Sequence, residues 1–196
     1  MDNRETVKNY RAITISGEIA SGKSSLAKVL ESILPGWERI NTGQRFRDYC
    51  EAHGLSIQQV SFLPDEVHRE FDADQRELIR TGQNIIVEGR LSGWLARGFD
   101  DVFRIFCYAP AEVRAERYMR RDHVEQPKAI EDIEYREKLD VEKYQRIYQL
   151  EDYRSASFYH LLLNTGVEAP HTLAASVIRA AGLIDISASD SEPVSS

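Results

Sequence analysis

The sequence predicts an α/β protein built on a five-stranded parallel sheet with helices on both faces. Three observations predict it. Short apolar, β-branched runs alternate with stretches of helical period, the pattern of a parallel sheet covered on both sides. The first run, Ala12–Ser16 (AITIS), passes straight into glycine, the signature of a buried strand. The chain has 196 residues, 42% hydrophobic and 29% charged, enough for one domain with a real core.

The elements follow in order. After the first strand, Leu26, Val29, Leu30 and Ile33 recur at i, i+3, i+4 and i+7, a helix face that ends at Pro35-Gly36. Glu38–Asn41 reads as a second strand. From Gln44 to about Arg80 the period is helical, broken near Gly54 and Pro64, and it stops at Thr81-Gly82. Asn84–Glu88 and Val102–Tyr108 are the third and fourth strands. Pro110 suits the first turn of a helix running to about Arg121. A polar stretch with Pro127 leads to a charged helix over Ile130–Leu150. Phe158–Asn164 is the last strand, and Pro170–Ala181 the last helix. The segment from Asp185 on is too small and polar to bury, and disorder is the expectation there. The long helical block between the second and third strands reads as an insertion above the sheet's carboxyl edge, where open α/β sheets bind ligands.

Composition excludes several classes. Thirty-two acidic against 25 basic side chains give a net charge of −7, against a mainly electrostatic nucleic-acid binder. No apolar run reaches the roughly 18 residues that span a bilayer, and the first residues lack the apolar core of a signal peptide. Cys50 and Cys107 suggest no disulfide framework, so a cytoplasmic location is expected. The five histidines are scattered without metal-ligand spacing. Trp37, Trp94 and the Tyr144, Tyr148, Tyr153 stripe read as packing.

Gly17-Glu18-Ile19-Ala20-Ser21-Gly22-Lys23-Ser24 matches G-x-x-x-x-G-K-[ST]. Glycines let the backbone wrap a polyphosphate with its N–H groups inward, and the following helix turns its positive end to the anion. Lys23 then reaches the β- and γ-phosphates, and the Ser24 hydroxyl can coordinate Mg²⁺. A chance glycine turn would give this pattern at about 3–4 positions in 10⁵, and here a strand precedes it and a helix follows. The segment is a nucleoside-triphosphate site. No N-K-x-D tetrapeptide is present, which argues against a GTPase. Glu88, ending the third strand, can hold Mg²⁺ through water or act only as a capping or solvated group. Arginines stand out: Arg47, Arg90, then Arg114, Arg117, Arg120 and Arg121 on one side of a helix. Such a row fits either a clamp on a transferring phosphoryl group or a solvated basic face paired with Glu112 and Glu116.

The GEIASGKSS, NTGQRFR, FDADQ, VEGRLSGW, APAEVRAER, REKLDVEKY and LLLNT segments together resemble the short, archaeal-type cytidylate kinases of the nucleoside-monophosphate kinase group, from about Ala12 to Ala181. The resemblance implies a three-layer P-loop kinase fold. One domain would cover 1–184, with a helical acceptor-binding insertion at about 43–82, a small lid at about 120–132, and a tail at 185–196. It implies phosphoryl transfer from Mg²⁺-ATP to a nucleoside monophosphate, CMP or dCMP, by a monomer or, alternatively, a dimer. ATP would be held by Gly17, Glu18, Ile19, Ala20, Ser21, Gly22, Lys23, Ser24 and Ser25, and Mg²⁺ by Ser24. Arg47, Asp72, Gln75, Arg90 and Arg136 would bind the acceptor. Lys23, Arg90, Arg117 and Arg121 would be the catalytic cations. The chain departs from the family pattern at Asp74, Leu139, Lys143 and His160. Two other readings stay open: a kinase of a hydroxyl on a small metabolite, with Asp72, Asp74 or Glu88 as base, and a nucleotide-binding module without turnover.

Overall fold

The computed structural model describes residues 10–54 and 63–183. Five strands, β1 (Ala12–Gly17), β2 (Glu38–Asn41), β3 (Ile85–Glu88), β4 (Val102–Tyr108) and β5 (Leu161–Asn164), form one parallel sheet in the order β2-β3-β1-β4-β5. Among the described residues the helices are α1 (Lys23–Ile33), α2 (Thr42–Ala52), α3 (Asp65–Thr81), α4 (Ser92–Leu95), α5 (Ala111–Asp122), α6 (Gln126–Tyr148) and α7 (Pro170–Ala181).

Strand alternation divides the core into two layers. Ile13, Ile15, Ile86, Phe103, Ile105 and Cys107 point to the face covered by α1 and α7, where they meet Leu26, Leu30, Val177 and Ile178. Ala12, Ile85, Val87, Val102 and Phe106 point to the other face, against Ile79 of α3, Trp94 of α4 and Tyr144 of α6. Trp94, Tyr144 and Tyr153 are buried there, as the packing reading expects. The expected α1 face holds at Leu26 and Leu30, but Ile33 is exposed and Leu34, one residue beyond the helix, fills the core instead.

Several boundaries differ from the sequence reading, those of the last strand and the charged helix most usefully. The last strand spans only Leu161–Asn164, because Ala156–Phe158 closes into a 3₁₀ turn that swings Tyr159 into the core. Its hydroxyl donates to the Tyr153 carbonyl at 2.6 Å. The charged helix begins at Gln126 rather than Ile130, with Pro127 in its first turn, where a missing N–H costs nothing. It ends at Tyr148, since Gln149 takes a left-handed conformation (φ 54°). Only residues 123–125 separate α5 from α6, so the segment expected as a lid is the tip of a tight helical hairpin. The expected break between two helices of the insertion is present, α2 ending at Ala52 and α3 starting at Asp65. Part of that segment, and the tail from Asp185, lie outside the described residues. Among the described residues no helix is long and apolar enough to cross a membrane.

Candidate active site

The carboxyl ends of β1 and β3 meet where the strand order reverses, the place where open α/β sheets bind ligands. A cleft of about 1380 Å³ opens there.

At one end lies the loop after β1. Gly22 stands just before α1 with φ +80°, a left-handed backbone that glycine adopts without strain. Ile19, Ala20, Ser21, Gly22, Lys23, Ser24 and Ser25 all line the cleft. The Lys23 ammonium donates to the Gly17 and Glu18 carbonyls at 3.0 and 2.5 Å. Burial, with the Arg90 charge adding to it, lowers the Lys23 pKa to about 8. Gly17 and Glu18 of the predicted set do not line the cleft. The Glu18 carboxylate lies 3.4 Å from Arg114, and burial pushes its pKa up.

The arginine row divides. Arg117, Arg120 and Arg121 line the cleft; Arg114 does not. Arg114 and Arg121 share a helix face, but seven residues put them roughly 10.5 Å apart along the axis, so Arg114 meets Glu18 and Glu137 behind the loop instead. Arg117 donates to Thr165 at Oγ1 (3.0 Å) and at the carbonyl (2.7 Å), while Thr165 Oγ1 donates to the Ser21 carbonyl at 2.7 Å. Sequence reasoning missed Thr165, one residue beyond β5, where only its place at the sheet's carboxyl edge could have pointed to it. Arg121 pairs with Asp122 and lies over the Tyr118 ring.

At the other end, Arg47, Asp72, Gln75, Arg90 and Arg136 line the same cleft, so the sequence-predicted acceptor residues converge. Gln75 is buried and donates to Ser92 Oγ at 2.9 Å. Tyr148 donates to Asp72 Oδ2 at 2.7 Å, giving one member of the tyrosine stripe a role beyond packing. Burial raises the Asp72 pKa. Phe46 and Phe71, in edge-to-face contact at 4.8 Å, wall this end. Asp140, which the sequence did not single out, is buried between Arg90 and Lys143 and pairs with both. Burial, with Arg90 beside it, lowers the Lys143 pKa to about 8.

Of the departures, Leu139 and Lys143 line the cleft, whereas Asp74 and His160 do not. His160 Nδ1 accepts the Arg104 N–H at 3.0 Å, at the sheet's far edge. Glu88 also lines the cleft, its Oε1 held by Arg39 at 2.5 Å and Asn41 at 2.9 Å. Among the described residues no cluster of three or more histidines, cysteines or carboxylates forms a metal cage. The Ser24 hydroxyl and the Glu88 carboxylate are hard oxygen donors, suited to an ion that keeps most of its water and phosphate ligands, as Mg²⁺ does.

Comparison with known proteins gives the family from sequence and the fold from shape. Residues 37–167 match the model of the cytidylate kinase-like family. Cytidylate kinase of Sulfolobus acidocaldarius is 34% identical over 165 residues, 83% of this chain and 89% of that one. Cytidylate kinase of Natronomonas pharaonis is 35% identical over 161 residues, covering 81% and 82%. A gluconokinase from Sinorhizobium meliloti (TM-score 0.58, 15% identity, 90% and 94% covered) shares the fold. So does shikimate kinase from Acinetobacter baumannii (TM-score 0.56, 16% identity, 89% and 94% covered). The phosphate loop, the cationic cleft beyond it and these likenesses agree, and the chain belongs to the cytidylate kinase-like family of ATP-dependent kinases.

Proposed function

We propose that this kinase transfers the γ-phosphoryl group of Mg²⁺-ATP to the 5′-phosphate of a pyrimidine nucleoside monophosphate, CMP or dCMP, giving the diphosphate and ADP. The observation that carries the reading is the acceptor end of the cleft. Four cations, Arg47, Arg90, Arg136 and Lys143, line it beside two phenyl walls, Phe46 and Phe71. Cations grip a phosphate and flat apolar walls take a base. Oxygen of that phosphate is already anionic, so its attack on the γ-phosphorus needs no general base. Positioning and charge neutralisation suffice.

Lys23, Arg117 and Arg121 would neutralise the transferring group, with Ile19 to Ser25 around the donor phosphates. Ser24, with Glu88 through water, would hold Mg²⁺, whose chemistry is to bridge and neutralise the phosphate oxygens. Asp72 carries a carboxylate that complements the exocyclic amino group of cytosine and repels the keto oxygen of uracil. The hydroxyl-acceptor alternative has less support. Asp72 is bonded to Tyr148, Glu88 to Arg39 and Asn41, and Asp74 is exposed outside the cleft.

The test is ADP release from Mg²⁺-ATP with CMP, dCMP, UMP, AMP, GMP and sugar phosphates, with Lys23→Ala as blank. Stimulation by CMP or dCMP that the variant abolishes is the expected result. Stimulation by a sugar alone, or ATP binding with no acceptor-dependent turnover, would overturn it.

A further inference from the structure

The phosphate loop is held from behind by the α5–α6 hairpin, at a point that the transfer chemistry does not touch. Glu137 of α6 accepts the Ile19 N–H at 3.1 Å through Oε1. The same oxygen receives Arg114 Nη1 of α5 at 2.5 Å. Arg114 Nη1 also donates to the Ile19 carbonyl at 3.4 Å, and its Nε lies 3.4 Å from Glu18 Oε2. Both backbone polar groups of Ile19 are therefore bound by side chains of the hairpin. The Ile19 side chain is buried among Tyr118, Ala129 and Ile133, in a small core shared by the loop and the two helices. The next residue, Ala20, has φ +56°, a left-handed conformation that an alanine keeps only when its surroundings impose it.

We propose that Glu137 is a positioning residue for the donor site: with Arg114 it locks the Glu18–Ile19 backbone, and so keeps the strained turn at Ala20 and the inward N–H groups after it pre-arranged for a polyphosphate. Three charges make the lock, Glu18 and Glu137 with Arg114 between them, all at least four-fifths buried. Without Glu137, the Ile19 N–H loses its acceptor and Arg114 Nη1 keeps only the long bond to the Ile19 carbonyl. The loop then gains states in which Ala20 leaves the left-handed region, and the donor must pay to reorder it. Of the acceptor residues, Arg47, Asp72 and Gln75 sit on α2 and α3, away from the lock; Arg136 and Lys143 share α6 with Glu137, but the hydrogen bonds that Glu137 makes go to Ile19 and Arg114. Its loss therefore acts on the donor far more than on the acceptor.

This inference rests on the loop being the ATP site, and the experiment separates the two. Calorimetry on the full chain measures Mg²⁺-ATP and, separately, CMP binding to wild type, Glu137→Ala, Glu137→Gln and Lys23→Ala. Glu137→Ala is expected to weaken ATP about tenfold and to leave CMP within twofold. Glu137→Gln, whose amide oxygen still accepts the Ile19 N–H, is expected to recover ATP binding to within about threefold of wild type. If Glu137→Ala does not fold, Arg114→Gln is measured in its place: it is expected to weaken ATP severalfold and to leave CMP within twofold, and ATP binding unchanged from wild type overturns the lock. Unchanged ATP binding in Glu137→Ala also overturns it, as does equal weakening of ATP and CMP. Tight ATP binding by Lys23→Ala would instead sink the assignment of the loop as donor site, whatever Glu137 does.

Discussion

Lys143 offers the sharpest test of how the acceptor is gripped. Its ammonium, 3.0 Å from Asp140 and near Arg90, has its pKa lowered to about 8 from an ordinary value near 10.4. Its charge is present below that value and lost as pH rises through it, leaving about nine-tenths at pH 7 and one-tenth at pH 9. A charged hydrogen bond to a phosphate is worth roughly 1.5–3 kcal/mol, a factor of about 10–100. With ATP saturating, kcat/KM for the acceptor should therefore fall roughly tenfold between pH 7 and pH 9. The low-pH limb belongs to the substrate, whose phosphate becomes dianionic above about pH 6. Saturating ATP surrounds Lys23 with phosphate and keeps that lysine charged, so Lys143→Arg, whose guanidinium stays charged beyond pH 12, should hold kcat/KM flat over the same window. Unfolding would not mimic the wild-type decline through these lysines. Folded Lys23 and Lys143 release their protons before the unfolded chain does, so their contribution to stability rises with pH between about 8 and 10. The assay is initial ADP release at limiting acceptor, with thermal unfolding recorded at each pH. A limb near pH 8 that survives in Lys143→Arg refutes the reasoning.

Other substitutions probe other parts. Asp72→Asn removes the carboxylate proposed to meet a cytosine amino group, and the ratio of kcat/KM for CMP over UMP should drop by about tenfold or more. Gly89→Ala drives a methyl group into Thr42 Oγ1 and to 2.6 Å from Ser92 Oγ, beside Arg90; urea unfolding should show a loss of about 1–3 kcal/mol, with a fall in turnover. Tyr153→Phe removes a buried hydroxyl that has no hydrogen-bond partner among the described residues, so urea unfolding should show stability unchanged within about 0.5 kcal/mol, or increased.

Legibility in the sequence followed the range of the forces involved. Periodicity located every strand and the split between α2 and α3, because those signals are local. The phosphate loop was legible because its chemistry demands contiguous residues. At the acceptor end, Arg47 and Arg90 stood out as arginines after strands, but their role and the choice of Asp72, Gln75 and Arg136 came only through resemblance. Arg47, Asp72, Arg90 and Arg136 are separated by whole elements, and nothing local says that they meet. Asp140 stayed invisible for the same reason: an aspartate three residues before a lysine looks like a helix-surface ion pair, and burial against Arg90 from another loop gives it a different environment. Arg114 shows the limit of reading one face of a helix. It has the angular position of the cleft arginines, but its height along the axis sets it behind the phosphate loop.

The protein is acidic overall, yet nine cations and six carboxylates line the cleft. A field of positive charge alone could have been built without the carboxylates, and an overall excess of lysine would draw in any polyanion. Four of the carboxylates are tied to cations: Asp140 to the cleft cations Arg90 and Lys143, Asp122 to Arg121, and Glu88 and Glu142 to Arg39 and Lys138 outside the cleft. A long guanidinium or ammonium chain in water samples many rotamers, and ordering it costs about 1.5–2 kcal/mol of side-chain entropy. Buried Asp140 meets that cost during folding, so Arg90 and Lys143 are already aimed when the phosphate arrives. The same logic applies to the backbone at Ile19, where Glu137 and Arg114 hold the loop. In a reaction that asks for no proton acceptor, these anions are the means by which the cations keep their places.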